Sequence, residues 1–547
     1  MELVLSGDAR TIYSRLVDAI SKKAGIAEAL EELKSLKPLS SAEEILRRQE
    51  EVRRKMELAA RVSISDLSSL ERFRIGRRFF EDRVFVARDD GEYEKAVRLN
   101  VCEVVREDER VERYAINLSD FVSDISLSEF APELIVEALM SNIDTLKRLA
   151  RLEQELHGKS ELSGILSELE DIREAHKKVK MFDEAERIAL DLQERINREV
   201  EERLAEIKLT LTADELLKMV GEGRVAGEIE SEIERVISKY EEELHELGIY
   251  DSVFHRSYPV RIDTEALKNA VDRVRESYAL DYYLRCRKIA GKIDLERLNE
   301  RVEHYRRLSL YRALIDLKFA FPEVGCGTAF INGVNLFISN PQPVSYCIGE
   351  NSLFPHSEGA VILTGANSGG KTSLLDLICQ ISILFHMGLP VNAERAECAV
   401  YDEIFYFRRK RSSYGSGAFE RALKSLVRAI SGNGRKLILI DEFEAITEPG
   451  AGARILATLL EVASRKGHHV VLVSHLGEEF AGLDFIRIDG IEAKGLDENF
   501  NLIVDRQPVF GRIGRSTPEL IVERLMEKSR GEVKEIFSKL LRRFGQE

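Results

Sequence analysis

The sequence predicts a mixed fold: a long α-helical region followed by an α/β domain built on a largely parallel sheet. Three observations predict it. Prolines are sparse until Pro322 and then cluster, so the character of the chain changes there. Before that point, apolar residues recur at three- and four-residue steps, the period of helices. From about Val324 onward, short β-rich runs ("TAFINGVNLFI", "GAVILTG", "KLILIDEF", "HHVVLVSH", "DFIRIDG") alternate with helical patterns, as in a parallel sheet flanked by helices.

Composition bounds the rest. A chain of 547 residues is too long for one hydrophobic core, so at least two domains are expected. With 32% charged residues and 11 prolines, the chain suits long solvated helices. A formal net charge of −15 disfavours general adhesion to nucleic acid or to an anionic membrane, so any DNA contact must use local basic patches. The six cysteines are scattered without a C-x-x-C pair and read as small buried residues of a reduced, cytoplasmic protein. No apolar run approaches the ~20 residues that span a bilayer, and the N-terminus has no signal-peptide pattern, so no membrane partner is expected.

Residues 1–130 read as mainly helical. Within them "RVFVARDDGEYEKAVRLNVCEVV" holds two β-rich runs around Asp90-Gly91, which predicts a β-hairpin near 83–106. Residues 131–325 carry two narrow apolar stripes. One is Ile188, Leu192, Ile196, Val200, Leu204, Ile207 and Leu211; the other is Ile229, Ile233, Val236, Tyr240, Leu244 and Leu247. The glycines of "LTLTADELLKMVGEGRVAGE" between them suit a reversal, so the stripes are expected to bury each other in an antiparallel coiled-coil arm. Residues 326–525 form the α/β domain, and 526–547 a C-terminal helical element.

Gly365-Ala366-Asn367-Ser368-Gly369-Gly370-Lys371-Thr372 fits G-x-x-x-x-G-K-[ST] throughout and lies between a strand and a helix, with Ser373 opening the helix beyond it. Such a loop turns successive N–H groups toward phosphates at a helix N-terminus. Lys371 is expected to reach the β- and γ-phosphates of ATP, and the Thr372 hydroxyl to ligate Mg²⁺. Leu437 to Ile440 read as a buried strand ending in Asp441, a second Mg²⁺ contact, and Glu442, placed to orient or deprotonate the attacking water. Another strand, Val470 to Val473, ends in Ser474-His475, where the histidine would bond the γ-phosphate. Asp-Glu with a strand-terminal histidine marks a P-loop ATPase of the ABC type, in which two ATPase domains face each other and complete each other's sites. Val344 or Tyr346, on a strand leading into the loop, is the expected neighbour of the adenine.

Four stretches resemble the MutS family. "TGANSGGKT" is close to T-G-P-N-x-G-G-K-[ST], with Ala366 in place of proline, and Asn367 sits where that family places a phosphate-loop asparagine. "MGLPVNAERAECAVYDEIF" resembles the G-x-x-V-P-A segment leading to D-x-I-F. "LILIDEFEAITEPGAGARI" resembles D-E-[LI]-G-x-G-T-x-P-x-E-G, most closely as it stands in bacterial paralogues. "GRIGRSTPELIVERL" resembles the segment after the ATPase, beyond which MutS chains dimerise through a small helical element. The resemblance implies a homodimeric ATPase with a helical lever and arm, binding DNA as an ATP-gated clamp in DNA repair or recombination.

The departures are specific. The family's trans-acting G-x-S-T-F corresponds here to Gly415-Ser416-Gly417-Ala418-Phe419, which leaves Ser416 as the hydroxyl for the trans contact to the γ-phosphate. Glu444 and Ile446 stand where glycines are common. No counterpart of the mismatch-reading domain or of a Smr-like nuclease is recognised, so branched or otherwise structured DNA is expected rather than simple mismatches. Two other targets fit the resemblance less fully: stalled ribosomes, on which some paralogues act, and a bridging role like that of SMC proteins. The latter insert their coiled coil between the nucleotide motifs, whereas only some seventy residues separate Lys371 from Asp441. Basic clusters at "RFRIGRRFF" (from Arg72), "HKKVK" (from His176) and "RRKR" (from Arg408) are the candidate local patches.

Overall fold

The computed structural model describes residues 2–109, 116–182, 185–206, 227–246, 248–365, 370–408, 416–442, 449–496, 502–514 and 518–544. It divides into two compact units, Met1–Ser69 with Glu303–Glu547, and Leu70–Val302.

The first unit is organised by a six-stranded sheet whose strands all run parallel. Its order is Val4–Leu5, Glu403–Phe407, Lys436–Asp441, His469–Val473, Ala360–Gly365 and Ile486–Ile491. The three central strands are buried along their whole length, as strands covered on both faces must be. One face (Ile362, Ile438, Ile440, Val470 and Leu472) packs with Leu426, Ala429, Leu456 and Leu460 from helices Ser416–Ile430 and Pro449–Arg465. The helix Lys371–His386, with nearly every side chain buried, lies on the sheet as well. A smaller four-stranded sheet takes the order Glu323–Gly325, Arg395–Ala399, Thr328–Gly333 and Val344–Ile348.

The N-terminal segment belongs to this unit and not to a helical domain reaching residue 130. Val4 and Leu5 pair with Glu403 and Ile404 at the sheet edge, and helix Gly7–Ala24 buries Ile12, Leu16 and Ile20. Leu39 then closes a reciprocal contact with His386: its N–H donates to the histidine carbonyl at 2.7 Å, and its carbonyl lies 2.5 Å from His386 Nδ1. A two-residue strand pairing with a partner four hundred residues away leaves no periodic signal in the sequence.

In the second unit the expected hairpin is replaced by a parallel unit. Phe80–Ala87 and Cys102–Arg106 run parallel, and Asp90–Leu99 between them is a helix. Asp89 caps it, accepting from the Glu92 N–H at 2.8 Å, while Glu92 accepts from the Arg88 N–H at 2.9 Å. Asp90-Gly91 therefore opens a helix instead of turning a hairpin; the aspartate-rich start reads equally as a cap, and here the cap prevails.

Helices Ala185–Glu206 and Gly227–His245 pack as an antiparallel pair. Leu192, Ile196 and Val200 are buried with Ile233, Val236 and Leu244. Arg195 meets Glu243 at 2.8 Å, Lys239 meets Glu199 at 2.8 Å, and Arg203 meets Glu232 at 3.1 Å, a series whose partners descend as the first helix ascends. Ile207, Leu211, Leu247 and the expected reversal lie outside the described residues.

Two histidines are neutral inside the first unit. Burial pushes His386 and His469 down to about 4, and His469 Nδ1 lies 2.8 Å from the Tyr401 hydroxyl. An unfolded histidine titrates near 6.5. Stability from these groups is therefore complete above pH 6.5 and lost as pH falls toward 4, because the unfolded chain binds protons that the fold excludes. Denaturant midpoints are expected to decline through that window, and His469→Gln to decline less steeply; a midpoint independent of pH there contradicts the assignment.

Candidate nucleotide site

The parallel register brings three strand ends to one edge. Leu363 pairs with Val473, and Val473 with Asp441, so the strands carrying Gly365, Asp441 and His475 finish side by side. Gly365 has φ +120°, and a Cβ there would stand 2.1 Å from the Ile491 carbonyl oxygen, so only glycine fits. Gly370, at φ +86°, caps helix Lys371–His386. Ala366, Asn367, Ser368 and Gly369 lie outside the described residues.

Lys371 is 3% exposed, and its Nζ donates to the Gly365 carbonyl at 2.5 Å, across the base of the loop. Thr372 donates its hydroxyl to Asp441 Oδ2 at 2.9 Å. Burial raises the Asp441 pKa, against the lowering effect of that hydrogen bond. A hydroxyl and a desolvated carboxylate at a helix start are the hard oxygen donors a magnesium ion takes with phosphates, so the residues present fit Mg²⁺.

Glu442 adopts φ +49°, a left-handed conformation rare outside glycine. Its N–H donates to the Val473 carbonyl at 3.1 Å, tying the turn to the neighbouring strand. The Glu442 carboxylate lies 3.2 Å from His475 Nε2. The two residues read separately from the sequence are thus one pair, held by a backbone distortion of the kind that concentrates at functional positions.

Other expected residues are placed as follows. Ser373 accepts from Asn335 Nδ2 through its carbonyl at 2.8 Å. Ser416 opens its helix, and its side chain lies outside the described residues, as do Glu444 and Ile446. Arg408 pairs with Asp376 of helix Lys371–His386, beside the Tyr406 hydroxyl, which donates to the same carboxylate oxygen at 2.8 Å; it braces the fold. The rest of "RRKR" and the side chains of "HKKVK" lie outside the described residues.

A pocket opens against Gly370 and Ser373, lined by Val344, Asn335, Leu377 and Arg506 among others. Of the two residues expected near adenine, Val344 is in this lining. Tyr346 is not: it is fully buried, and its hydroxyl donates to Asp489 at 2.8 Å. Arg506 approaches Gly370, its nearest side-chain carbon 3.6 Å from where a Gly370 Cβ would stand. No motif in the sequence points to Arg506 or Asn335; only the fold brings them here.

The segment after the sheet is pressed onto the loop strand. The Gly514 N–H donates to Thr364 Oγ1 at 2.7 Å. A Cβ on Gly490 would stand 2.4 Å from the Gly514 nitrogen, and one on Gly514 would stand 3.0 Å from the Gly365 Cα. Val509 exchanges both backbone hydrogen bonds with Gly490, and Phe510 stacks on Tyr346 at 5.7 Å. Gly490→Ala is expected to cost about 1–3 kcal/mol by overpacking, read as a lower melting temperature and weaker ATP binding together. Arg506→Ala is expected to raise KM for ATP about tenfold, the loss of one charged contact, with kcat little changed.

No protein-family model matches the chain. Across 566 aligned positions it is 44% identical to the DNA-binding protein MutS2 of Pyrococcus furiosus, covering 99% of both chains. It is 32% identical over 125 residues to the endonuclease MutS2 of Gemmatimonas aurantiaca, spanning 22% of this chain and 15% of that one. With the endonuclease MutS2 of Ruminiclostridium cellulolyticum the identity is 27% over 218 residues, 38% of this chain and 27% of the other. Full-length likeness of this order, on a chain whose phosphate-loop lysine, threonine and strand-end acids meet at one sheet edge, settles the kinship: the chain belongs to the MutS family, among its MutS2 proteins.

Proposed function

We propose that this ATPase binds DNA as a homodimer whose grip is set by nucleotide, acting on branched or otherwise structured DNA in repair or recombination. The observation that carries the reading is the meeting of Thr372 with Asp441 beside Lys371, with Glu442 and His475 paired at the next strand ends. DNA binding follows the likeness to the Pyrococcus furiosus protein, whose name states it. Among the described residues, no helix is long and apolar enough to cross a membrane.

In this reading Lys371 neutralises the β- and γ-phosphates, exchanging its contact with the Gly365 carbonyl for phosphate oxygen. Thr372 and Asp441 would hold Mg²⁺, which supplies charge neutralisation on the phosphates. Glu442 orients the attacking water and accepts its proton, with His475 holding the carboxylate at the strand end. Val344 and Leu377 give the base an apolar wall, and Arg506 closes over the phosphate side. Ser416 serves the partner's γ-phosphate.

A second copy is favoured by the C-terminal helices. Glu532–Phe544 packs with Pro518–Lys528 yet leaves Val533, Ile536 and Leu540 exposed at 50%, 51% and 43%, a stripe at helical spacing. The antiparallel helix pair is the natural element for a lever and arm that follow closure of the ATPase dimer.

Lys371→Ala is expected to abolish ATP binding measured by calorimetry. Glu442→Gln should bind ATP normally while turnover falls about 10²–10⁴-fold, and sedimentation should then show a dimer persisting with ATP. Normal turnover in Glu442→Gln, or a monomer under those conditions, contradicts the proposed mechanism.

A further inference from the structure

We propose that residues 72–79 form a tethered strap that binds the phosphodiester backbone through Arg74 and Arg77 and meets an unpaired base with Phe79. The proposal rests on the DNA-binding reading above and names the surface that would serve it.

From Leu70 to Phe79 the backbone is in neither helix nor strand, yet it is tied down. The Glu71 N–H donates to Thr145 Oγ1 at 3.2 Å. Phe73 exchanges both backbone hydrogen bonds with the Asn299 side chain, at 2.8 and 3.0 Å. The Phe80 N–H donates to the Val101 carbonyl at 2.7 Å. The Phe73 and Phe80 side chains, 3% and 4% exposed, anchor the two ends. Every residue between them, Arg74 to Phe79, is exposed.

The strap sets cations beside exposed apolar groups. Arg74 and Arg77 make no hydrogen bond or ion pair among the described residues; Arg78 meets Glu137 at 3.4 Å, in a pair open to solvent, and lies over the Phe80 ring at 4.8 Å. On the helix pair, by contrast, Arg195, Arg203 and Lys239 all face carboxylates. Beside the unneutralised cations stand Ile75, 43% exposed, and Phe79, 49% exposed. In a protein of net charge −15, such cations call for a polyanion, and guanidinium groups fit phosphate oxygens in pairs.

The apolar groups decide between partners. An apolar protein face would cover Ile75 and Phe79 but leave two arginines desolvated without a counter-charge. A plain duplex would satisfy the arginines and leave the ring in water. A backbone with an unstacked base, as at a fork or branch, uses both, because a base stacks on an aromatic ring whatever its sequence. Tied ends mean that little backbone entropy is lost on binding.

Fluorescence anisotropy with a forked DNA and a plain duplex of equal length, over a salt series, tests this. The wild type should prefer the fork. Arg74→Ala/Arg77→Ala should bind both DNAs more weakly, with the slope of log affinity against log salt shallower by about two. Phe79→Ala should lose most of the fork preference, about fivefold or more, while keeping its affinity for the duplex. ATP hydrolysis without DNA should match the wild type in both variants, reporting that they fold. A wild-type salt slope in the double arginine variant, or an undiminished fork preference in Phe79→Ala, overturns the strap while leaving the DNA-binding reading intact. Failure of the wild type to bind either DNA overturns both.

Discussion

The structure depends on the register of three parallel strands. Ala360–Gly365, His469–Val473 and Lys436–Asp441 are paired in that order and buried on both faces. A slip by one residue would turn every side chain to the other face and expose none of them to water, so packing against the two helix layers must hold the alignment. That alignment sets Lys371 and Thr372, on the helix leaving the first strand, against Asp441 at the end of the third. The same pairing lets the Val473 carbonyl accept from the Glu442 N–H and hold the strained turn. The acid and histidine are neighbours because their strands are neighbours.

A second constraint lies behind the loop. Gly365, Gly490 and Gly514 approach each other closely enough that side chains on the latter two would collide with backbone. Around them Arg487 is locked to Asp489 and Glu358, and Asp489 accepts from Tyr346 and from the Gly511 N–H. The stretch from Val509 to Gly514 is thus part of the wall of the loop strand. It leads, through residues outside the description, to the helices with the exposed apolar stripe. Its contacts with the sheet are direct, Gly514 on Thr364 and Val509 on Gly490.

Much of this was legible in the sequence, and the reasons differ by element. The strands that end at Gly365, at Asp441 and just before His475 could be read because each carries an unbroken apolar run. The helix pair could be read because both stripes keep helical spacing over several turns. The N-terminal strand could not, since two residues carry no period and the pairing is entirely long-range. The segment from Phe80 to Arg106 misled because an aspartate-rich start suits both a turn and a helix cap, and only the bonds that Asp89 accepts from Glu92 and Glu92 accepts from Arg88 distinguish them. Arg506 and Asn335 reach the pocket through tertiary approach alone. Tyr346 illustrates the limit of reading by position: it lies on the expected strand, but its ring turns into the buried Asp489 network, while Val344, two residues earlier on the same strand, lines the pocket.

The central claim is that the strand register builds a magnesium-dependent triphosphate site from Thr372 and Asp441. Calorimetric titration of ATP with and without Mg²⁺, in the wild type and in Thr372→Val/Asp441→Asn, tests it most directly. The wild type should bind more tightly with the metal, and the double variant should bind alike in its presence and absence. An undiminished Mg²⁺ enhancement in the double variant would place the metal elsewhere and contradict the site described.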